Sequence, residues 1–342
     1  MNQEHLIKLG KRKAQFSSWL SRVTKVLIGI GVSVAFVGLT LRGVDFVQVR
    51  AHLGNIDGGM LLPVFISLSV VFLLKAFRWW YLMFPLKRVA FGRIFITTVI
   101  GYMANNALPL RGGDLLRAHI LGRKENIGTT TIFTTVAIDR VFEVLSLLTV
   151  SLAVLFLIPL PKWMWNSVII LGIVLLCSVV GIAAFCSPPK AIEKWWKAVL
   201  GFLPGKLEEV LSKFIKQVRF GLEAGSGKVR LVNLYILAVG ESAITGLLVY
   251  YSLKMVGIQP SLVVVLSIMI AMNLAVLIPA APANIGVFEF AVVSTLEFFQ
   301  FSKSIALSGA VILHAISIIP VSLVGLILLA REWLLPKRGI LE

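Results

Sequence analysis

Apolar stretches of about twenty residues recur along this chain, and each is long enough to cross roughly 30 Å of hydrocarbon. They run from Val23 to Leu41, Met60 to Phe84, Thr131 to Leu157, Trp165 to Phe185, Leu231 to Tyr251, Leu262 to Ile278 and Ile305 to Ala330, with a broken one starting near Phe91. Of the 342 residues 58% are hydrophobic, and the mean hydropathy is +0.93. A soluble domain of that size needs far more polar surface to cover its core. The pattern predicts an all-α polytopic membrane protein with about eight membrane windows.

The net charge of +17 raises the question of nucleic acid, but the placement of the charge argues against it. Basic residues cluster between the windows, which is the positive-inside signature of loops facing the cytoplasm and its anionic lipid. Lys8, Lys11, Arg12, Lys13 and Arg22 precede the first window, and no small-residue cleavage site follows them. A retained cytoplasmic N-terminus is expected, in a multi-pass protein of the inner (plasma) membrane with both termini cytoplasmic. Cys177 and Cys186 share one apolar window without metal spacing and are expected as packing.

Between the windows lies one long polar region, 187–230. In it Leu207, Val210, Leu211, Phe214, Ile215, Val218 and Leu222 recur at helical spacing opposite Lys206, Lys213, Lys216 and Arg219. A helix of this pattern lies in the cytoplasmic interface. It divides one membrane domain, 1–342, into a first half at 1–186 and a second at 231–342.

Assigning sides by charge exposes two conflicts. The window from Phe91 leaves the basic side at Arg93, yet Arg123 and Lys124 follow before the next window. The conflict disappears if the chain enters halfway, turns at Ala107 to Gly113, and comes back as a re-entrant hairpin near 104–124. The mirrored problem arises around Ala271 to Val292, where Pro279, Pro282, Asn284, Gly286 and Glu289 interrupt an apolar run. There a second hairpin, near 271–300, enters from the other face. One hairpin from each face, one in each half, is what an inverted repeat produces.

Irregular backbone at membrane depth is tolerated where it is buried in protein or lines a wet cavity. Half-helices starting there aim amides and positive dipole ends into that cavity. At the first turn stand Asn105, Asn106, Pro109, Arg111, Asp114 and Arg117; at the second, Asn273, Pro282, Asn284 and Glu289. Two guanidiniums beside a dipole end suit a phosphate or carboxylate. Asp139 and Glu143, four apart on one face around Arg140, and Glu241 in a later window are buried acids that need partners, protons or water. Arg111 or Arg117 can supply the partner; the alternative is one protonated carboxyl, which would make a proton-coupling site. Lys75 and Arg78 are expected to snorkel to the cytoplasmic interface, and His314 to be a satisfied core histidine.

The segments NNALPLRGGDLLRA, IDRVFEVLSLL and IPAAPANIGVFEF, in this order, resemble the flippase-like transmembrane region of the lysylphosphatidylglycerol synthase family. Asp114 stands where many relatives carry Glu. The resemblance implies a helical membrane domain with re-entrant elements that moves a lipid headgroup between leaflets. Because the chain ends at Glu342, the soluble amino-acid-transferring domain of bifunctional members is not expected. The expected function is therefore translocation of an anionic or zwitterionic lipid headgroup through a midplane polar cavity. The partners would be membrane lipids (anionic phospholipid, aminoacylated lipid, or polyprenyl or glycolipid), not nucleic acid, and no pattern specifies an oligomer. The expectation includes no enzymatic activity, no catalytic or metal set and no cofactor, and no GxxxxGK[ST] nucleotide loop occurs. The alternatives are a membrane-embedded transferase acting on a lipid-linked substrate, and a small-solute or ion secondary transporter.

Overall fold

The computed structural model describes residues 29–108, 112–157, 228–276, 278 and 280–334, with isolated positions between 165 and 176. Pro109, Arg111, Pro279, both cysteines and most of the polar linker lie outside the described residues. The described chain is helical, as the periodicity predicts. Its helices are α1 (Gly29–Leu41), α2 (Phe46–Gly54), α3 (Leu61–Met83), α4 (Phe91–Ala107), α5 (Gly112–Glu125) and α6 (Thr129–Leu157). After the linker come α7 (Lys228–Lys254), α8 (Leu262–Ala275), α9 (Val287–Phe298) and α10 (Lys303–Leu334).

Among the described residues three helical stretches are long and apolar enough to cross a membrane: Gly58–Met83, Val229–Lys254 and Lys303–Glu332. The pair α1 and α2, bent by 90°, makes a fourth if it counts as one span. Asp45 breaks that pair by capping α2, its carboxylate accepting from the Val47 amide at 2.9 Å. Helix α6 has 29 residues, about 44 Å of rise, but carries Asp139, Arg140 and Glu143 in its middle.

Hydrogen bonds and ion pairs define two ends of the molecule. At one end the Asp57 amide donates to the Met255 carbonyl, the Asp45 amide to Ser304, and Lys303 to the carbonyls of Leu39 and Arg42. At the other, Lys87 and Arg93 clamp Glu125, and Lys124 reaches Glu332 at 2.6 Å. Burial pushes the Glu125 carboxyl up, but the hydrogen bonds and charges of Lys87 and Arg93 outweigh it and hold the group below its ordinary value. This second end also carries Arg88, Arg123 and Arg331, and is the basic one.

Two helical hairpins point inward from these ends. α4 and α5 run antiparallel and open at the basic end, where Arg93 meets Glu125. They touch so closely that a Cβ on Gly113 would overlap the Gly101 carbonyl, and one on Gly101 would meet the Arg117 side chain at 2.9 Å. Small residues are what let helix backbones approach in this way. α8 and α9 open at the opposite end, Ser261 capping α8 and the turn after Phe298 leading into α10. Here the structure differs from the sequence expectation. The break comes after Ala275, and α8 from Leu262 is itself the first arm, so the window from Leu262 to Ile278 is part of the hairpin and not a full-length helix ahead of it. With 14 residues, about 21 Å, α8 is too short to cross alone.

Helix α1 seals the second turn. Ser33 accepts from the Ala281 amide at 2.9 Å, and a Cβ on Gly286 would meet the Ser33 carbonyl at 2.6 Å. α10 passes both hairpins, packing Leu307, Ala310 and Leu313 near Leu296 and setting Gly325 against Met103 of α4. The largest apolar cluster forms among α7, α8, α9 and α10. A second joins α3, α5, α6 and α7 around Trp79, Leu121 and Ile132. The polar interior sits beside this second cluster.

Candidate functional site: a buried ion cluster and a neighbouring cavity

The cluster is built from facing stripes of five helices, α3 to α7. Two residues three apart on α3, Lys75 and Arg78, point at α6 and α7. Arg78 donates from Nε to Asp139 at 2.6 Å and from Nη2 to Glu143 at 3.0 Å, and it also bonds Glu241. Lys75 reaches Glu143 at 3.0 Å and Glu241 at 2.5 Å. The expectation that these two cations snorkel is corrected: Arg78 is fully buried at 0% exposure and paired. The physical reason is the three acids that α6 and α7 present at its depth, which offset the desolvation of the guanidinium.

Arg140, whose direction along α6 differs from that of its neighbours, curls back to use both. It donates to Asp114 from Nε at 3.1 Å and from Nη2 at 2.8 Å, a bidentate pair, and it also pairs with Glu143. Tyr102 of α4 donates to Glu143 at 2.8 Å and accepts from Arg140 at 3.1 Å. Lys75, Arg117 and Arg140 surround its ring at 5.0, 5.8 and 5.0 Å. Asn105 donates to Asp114 at 3.1 Å.

Arg117 is different. It is 1% exposed and lies over the Trp79 ring at 4.8 Å, with Asp114 at 3.4 Å and Asp139 at 3.7 Å. None of its three guanidinium nitrogens makes a hydrogen bond, and the nearby Asn105 Oδ1 is also buried without one. Among the described residues the cluster holds four cations, Lys75, Arg78, Arg117 and Arg140, against four acids, Asp114, Asp139, Glu143 and Glu241. It is balanced in charge.

A second group forms where the α8–α9 turn meets α4 and α10. Ala283, Asn284 and Gly286 have φ of 61°, 57° and 89°, and a left-handed alanine is strained. His314 of α10 holds it, its Nε2 donating to the Ala283 carbonyl at 2.9 Å, while Nδ1 meets Glu289 at 2.5 Å. The other Glu289 oxygen accepts from the Gly286 amide at 2.6 Å. Beside this pair is a cavity of about 170 Å³ lined by Asn106, Asn273, Asn284, Phe288, His314 and Ser317, among others. Pro282 opens the short helical turn at Pro282–Asn284 but does not line the cavity.

The site residues expected from sequence thus fall into two groups. Asp114, Arg117, Asp139, Arg140, Glu143, Glu241 and Asn105 share the ion cluster. Asn106, Asn273, Asn284 and Glu289 stand at the cavity or beside it. Adjacent residues of α4, Asn105 and Asn106, link them. Lys75, Arg78, Tyr102, Phe288, His314 and Ser317 were missed as site residues. An i, i+3 pair of cations inside an apolar window was the available signal for the first two.

An all-helical chain with membrane-length helices, a buried charge-balanced network and two inward hairpins defines a membrane protein whose polar chemistry is internal. The comparisons specify the class. A model of the family described as Lysylphosphatidylglycerol synthase TM region matches residues 26–325; the chain belongs to that family. It is 23% identical over 337 residues to a protein named Glycosyltransferase AglD from Haloferax volcanii, covering 87% of this chain and 53% of that one. It thus spans about half the length of that relative. It is also similar to the UPF0104 membrane protein MJ1078 of Methanocaldococcus jannaschii, 27% identical over 66% of this chain and 92% of that one. A further UPF0104 membrane protein, from Methanothermobacter thermautotrophicus, is 23% identical over 68% of this chain and 73% of its own length. One expectation is overturned here. The sequence reading had no enzymatic activity, and the likeness to a protein named as a glycosyltransferase removes the ground for that exclusion.

Proposed function

We propose that this chain binds a lipid headgroup at its ion cluster and carries it between the leaflets. Arg117 is the observation that carries the reading. Its guanidinium has five donors in a fixed fork, is buried, and makes no hydrogen bond. Leaving buried polar groups unsatisfied costs about 1–3 kcal/mol for each, and more when they are charged. A phosphate or carboxylate seated on that fork satisfies it bidentately. Because the cluster is balanced, an arriving anion takes Arg117 from Asp114 and Asp139 by exchange of partners. Binding is then loose enough to be undone, as transit requires.

The reading includes a placement in the membrane. Counted along α3 to α7 from their basic ends, the cluster lies roughly 8–21 Å deep, reaching the middle of a 30 Å core. The α4–α5 and α8–α9 hairpins are re-entrant from opposite faces and related as an inverted repeat. The halves 1–186 and 231–342 are joined by the linker at 187–230. Both termini and the basic end face the cytoplasm of a cell whose inner (plasma) membrane holds the protein. Hairpins that open at opposite ends, one of them basic, support this placement. Arg111, beside the start of α5, would face the same headgroup.

A second reading rests on the likeness to a protein named Glycosyltransferase AglD: the membrane domain serves a transferase that uses a lipid-linked substrate. The two readings differ in covalent outcome, since translocation leaves the lipid's mass unchanged and transfer does not.

The binding step is tested with purified wild type and Arg117→Gln, mixed with phosphatidylglycerol and examined by native mass spectrometry. Wild type is expected to retain the lipid, and folded Arg117→Gln to retain at least tenfold less; because the change leaves one acid of the cluster uncompensated, its unfolding temperature should fall as well. Equal retention by the two would place the headgroup site elsewhere.

A further inference from the structure

The cavity between the two hairpins has a lining unlike that of the ion cluster. Its one ionisable pair is His314 with Glu289. The Ala283 carbonyl can only accept, so the Nε2 facing it at 2.9 Å carries a hydrogen. One further proton is shared between Nδ1 and Glu289. On either side of that bond the pair sums to zero charge, and both ring nitrogens and the carboxylate are already engaged with protein. The remaining polar side chains commit donors to the protein as well. Asn273 donates to the Met269 carbonyl at 2.8 Å, Asn106 to Ser322 at 3.2 Å, and Ser317 to the Leu313 carbonyl at 2.7 Å. Each of the two amides keeps a second N–H as well as its Oδ1, and the Ser317 hydroxyl keeps its acceptor capacity, so the lining offers neutral donors and acceptors together; Asn284 adds a further amide. A phosphate here would meet neutral amides and a hydroxyl and, among the described lining residues, no unpaired cation. A ligand rich in O–H groups would meet the acceptors it needs, and an ammonium would find no uncompensated negative charge.

Size and shape narrow the choice further. A cavity of about 150 Å³ is known to hold a benzene ring, so 170 Å³ gives room for one six-membered ring. Phe288, stacked on His314 at 4.2 Å between ring centres, gives an apolar wall against which the C–H face of such a ring can lie. The cavity also sits midway along α10, beside Ser317, and next to the α4 residue whose neighbour Asn105 bonds Asp114 of the ion cluster. A headgroup with both a phosphate and a ring could engage both sites.

We propose that this cavity binds an uncharged polyhydroxylated ring, a monosaccharide or a cyclitol, carried on a lipid. The inference rests on the headgroup path proposed above and names the part of the headgroup that the second hairpin receives. The probe is monoglucosyldiacylglycerol, which has the ring and no phosphate, with plain diacylglycerol and phosphatidylglycerol as references. Retention by the full chain is read by native mass spectrometry in a detergent that has no sugar headgroup. Wild type should retain the glucolipid at least tenfold better than diacylglycerol. Asn273→Leu and Ser317→Val should each lose most of that preference while keeping phosphatidylglycerol. Arg117→Gln should do the reverse, so loss of the anion site and loss of the ring site are read separately. Ser317→Ala, a smaller change, serves if Ser317→Val fails to fold. Wild type that does not distinguish glucolipid from diacylglycerol, or folded cavity variants that retain it fully, would overturn the proposal.

Discussion

Arg78 shows what a single residue does inside this molecule. It contacts Asp139, Glu143 and Glu241 from the middle of an apolar helix. Removing one partner of a buried pair leaves charge uncompensated, at a cost of about 3–5 kcal/mol. Arg78→Leu should therefore lower the unfolding temperature in detergent steeply, and the combined change of Arg78→Leu with Asp139→Asn should recover part of the loss. If Arg78→Leu unfolds like wild type, water must reach the acids and the cluster is not a sealed network. The role of this residue was not legible from sequence. Spacing along α3 puts Lys75 and Arg78 on one face, but it does not say that the face meets acids as distant as Glu241, 163 positions from Arg78. Snorkelling to the interface is the reading that local pattern supports, and long-range pairing overrode it. Asp139, Glu143 and Glu241 were legible, because a carboxylate in an apolar window needs a partner wherever the partner comes from. His314 with Glu289 was legible only as a satisfied histidine; the strained Ala283 it holds leaves no mark in the pattern.

At the scale of elements the helical class was legible, but the count of about eight windows was not: among the described residues three stretches, or four with the bent pair, are long and apolar enough to cross. The α4–α5 turn follows from a charge conflict that only a return to the same side resolves. In α8 the mean apolarity is so uniform from Leu262 onward that a membrane span and a short arm look alike, and the break after Ala275 decides between them. Glycines separate the two kinds of helix contact and give a prediction of opposite sign. Gly113 lies against the backbone of α4, whereas a Cβ on Gly240 of α7 would meet nothing within 4 Å. Gly113→Ala should pry α4 from α5 and destabilise the protein severely. Gly240→Ala should stabilise it by about 0.5–1 kcal/mol, the usual gain for alanine over glycine in a helix. Thermal unfolding of both variants checks this, and similar behaviour of the two would mean that the hairpin is not packed backbone to backbone.

For the whole molecule the account joins two inward hairpins, opposite in direction, to a balanced interior through which a headgroup passes. Its membrane placement predicts sidedness. Single cysteines at Arg123 and Ser302, both exposed, in a background lacking Cys177 and Cys186, should react with an impermeant thiol reagent from the cytoplasmic and the outer side respectively. Labelling of both from one side would refute the opposed hairpins. The most direct measurement of the central claim is transbilayer movement itself. Proteoliposomes containing fluorescent phosphatidylglycerol are treated with an impermeant quencher, and the inner-leaflet signal is followed with time. The account predicts that wild type exposes the inner-leaflet lipid faster than protein-free vesicles do, and that Arg117→Gln, folded and reconstituted at equal density, falls back to the protein-free rate. A wild type no faster than empty vesicles, or an Arg117→Gln as fast as wild type, would contradict it.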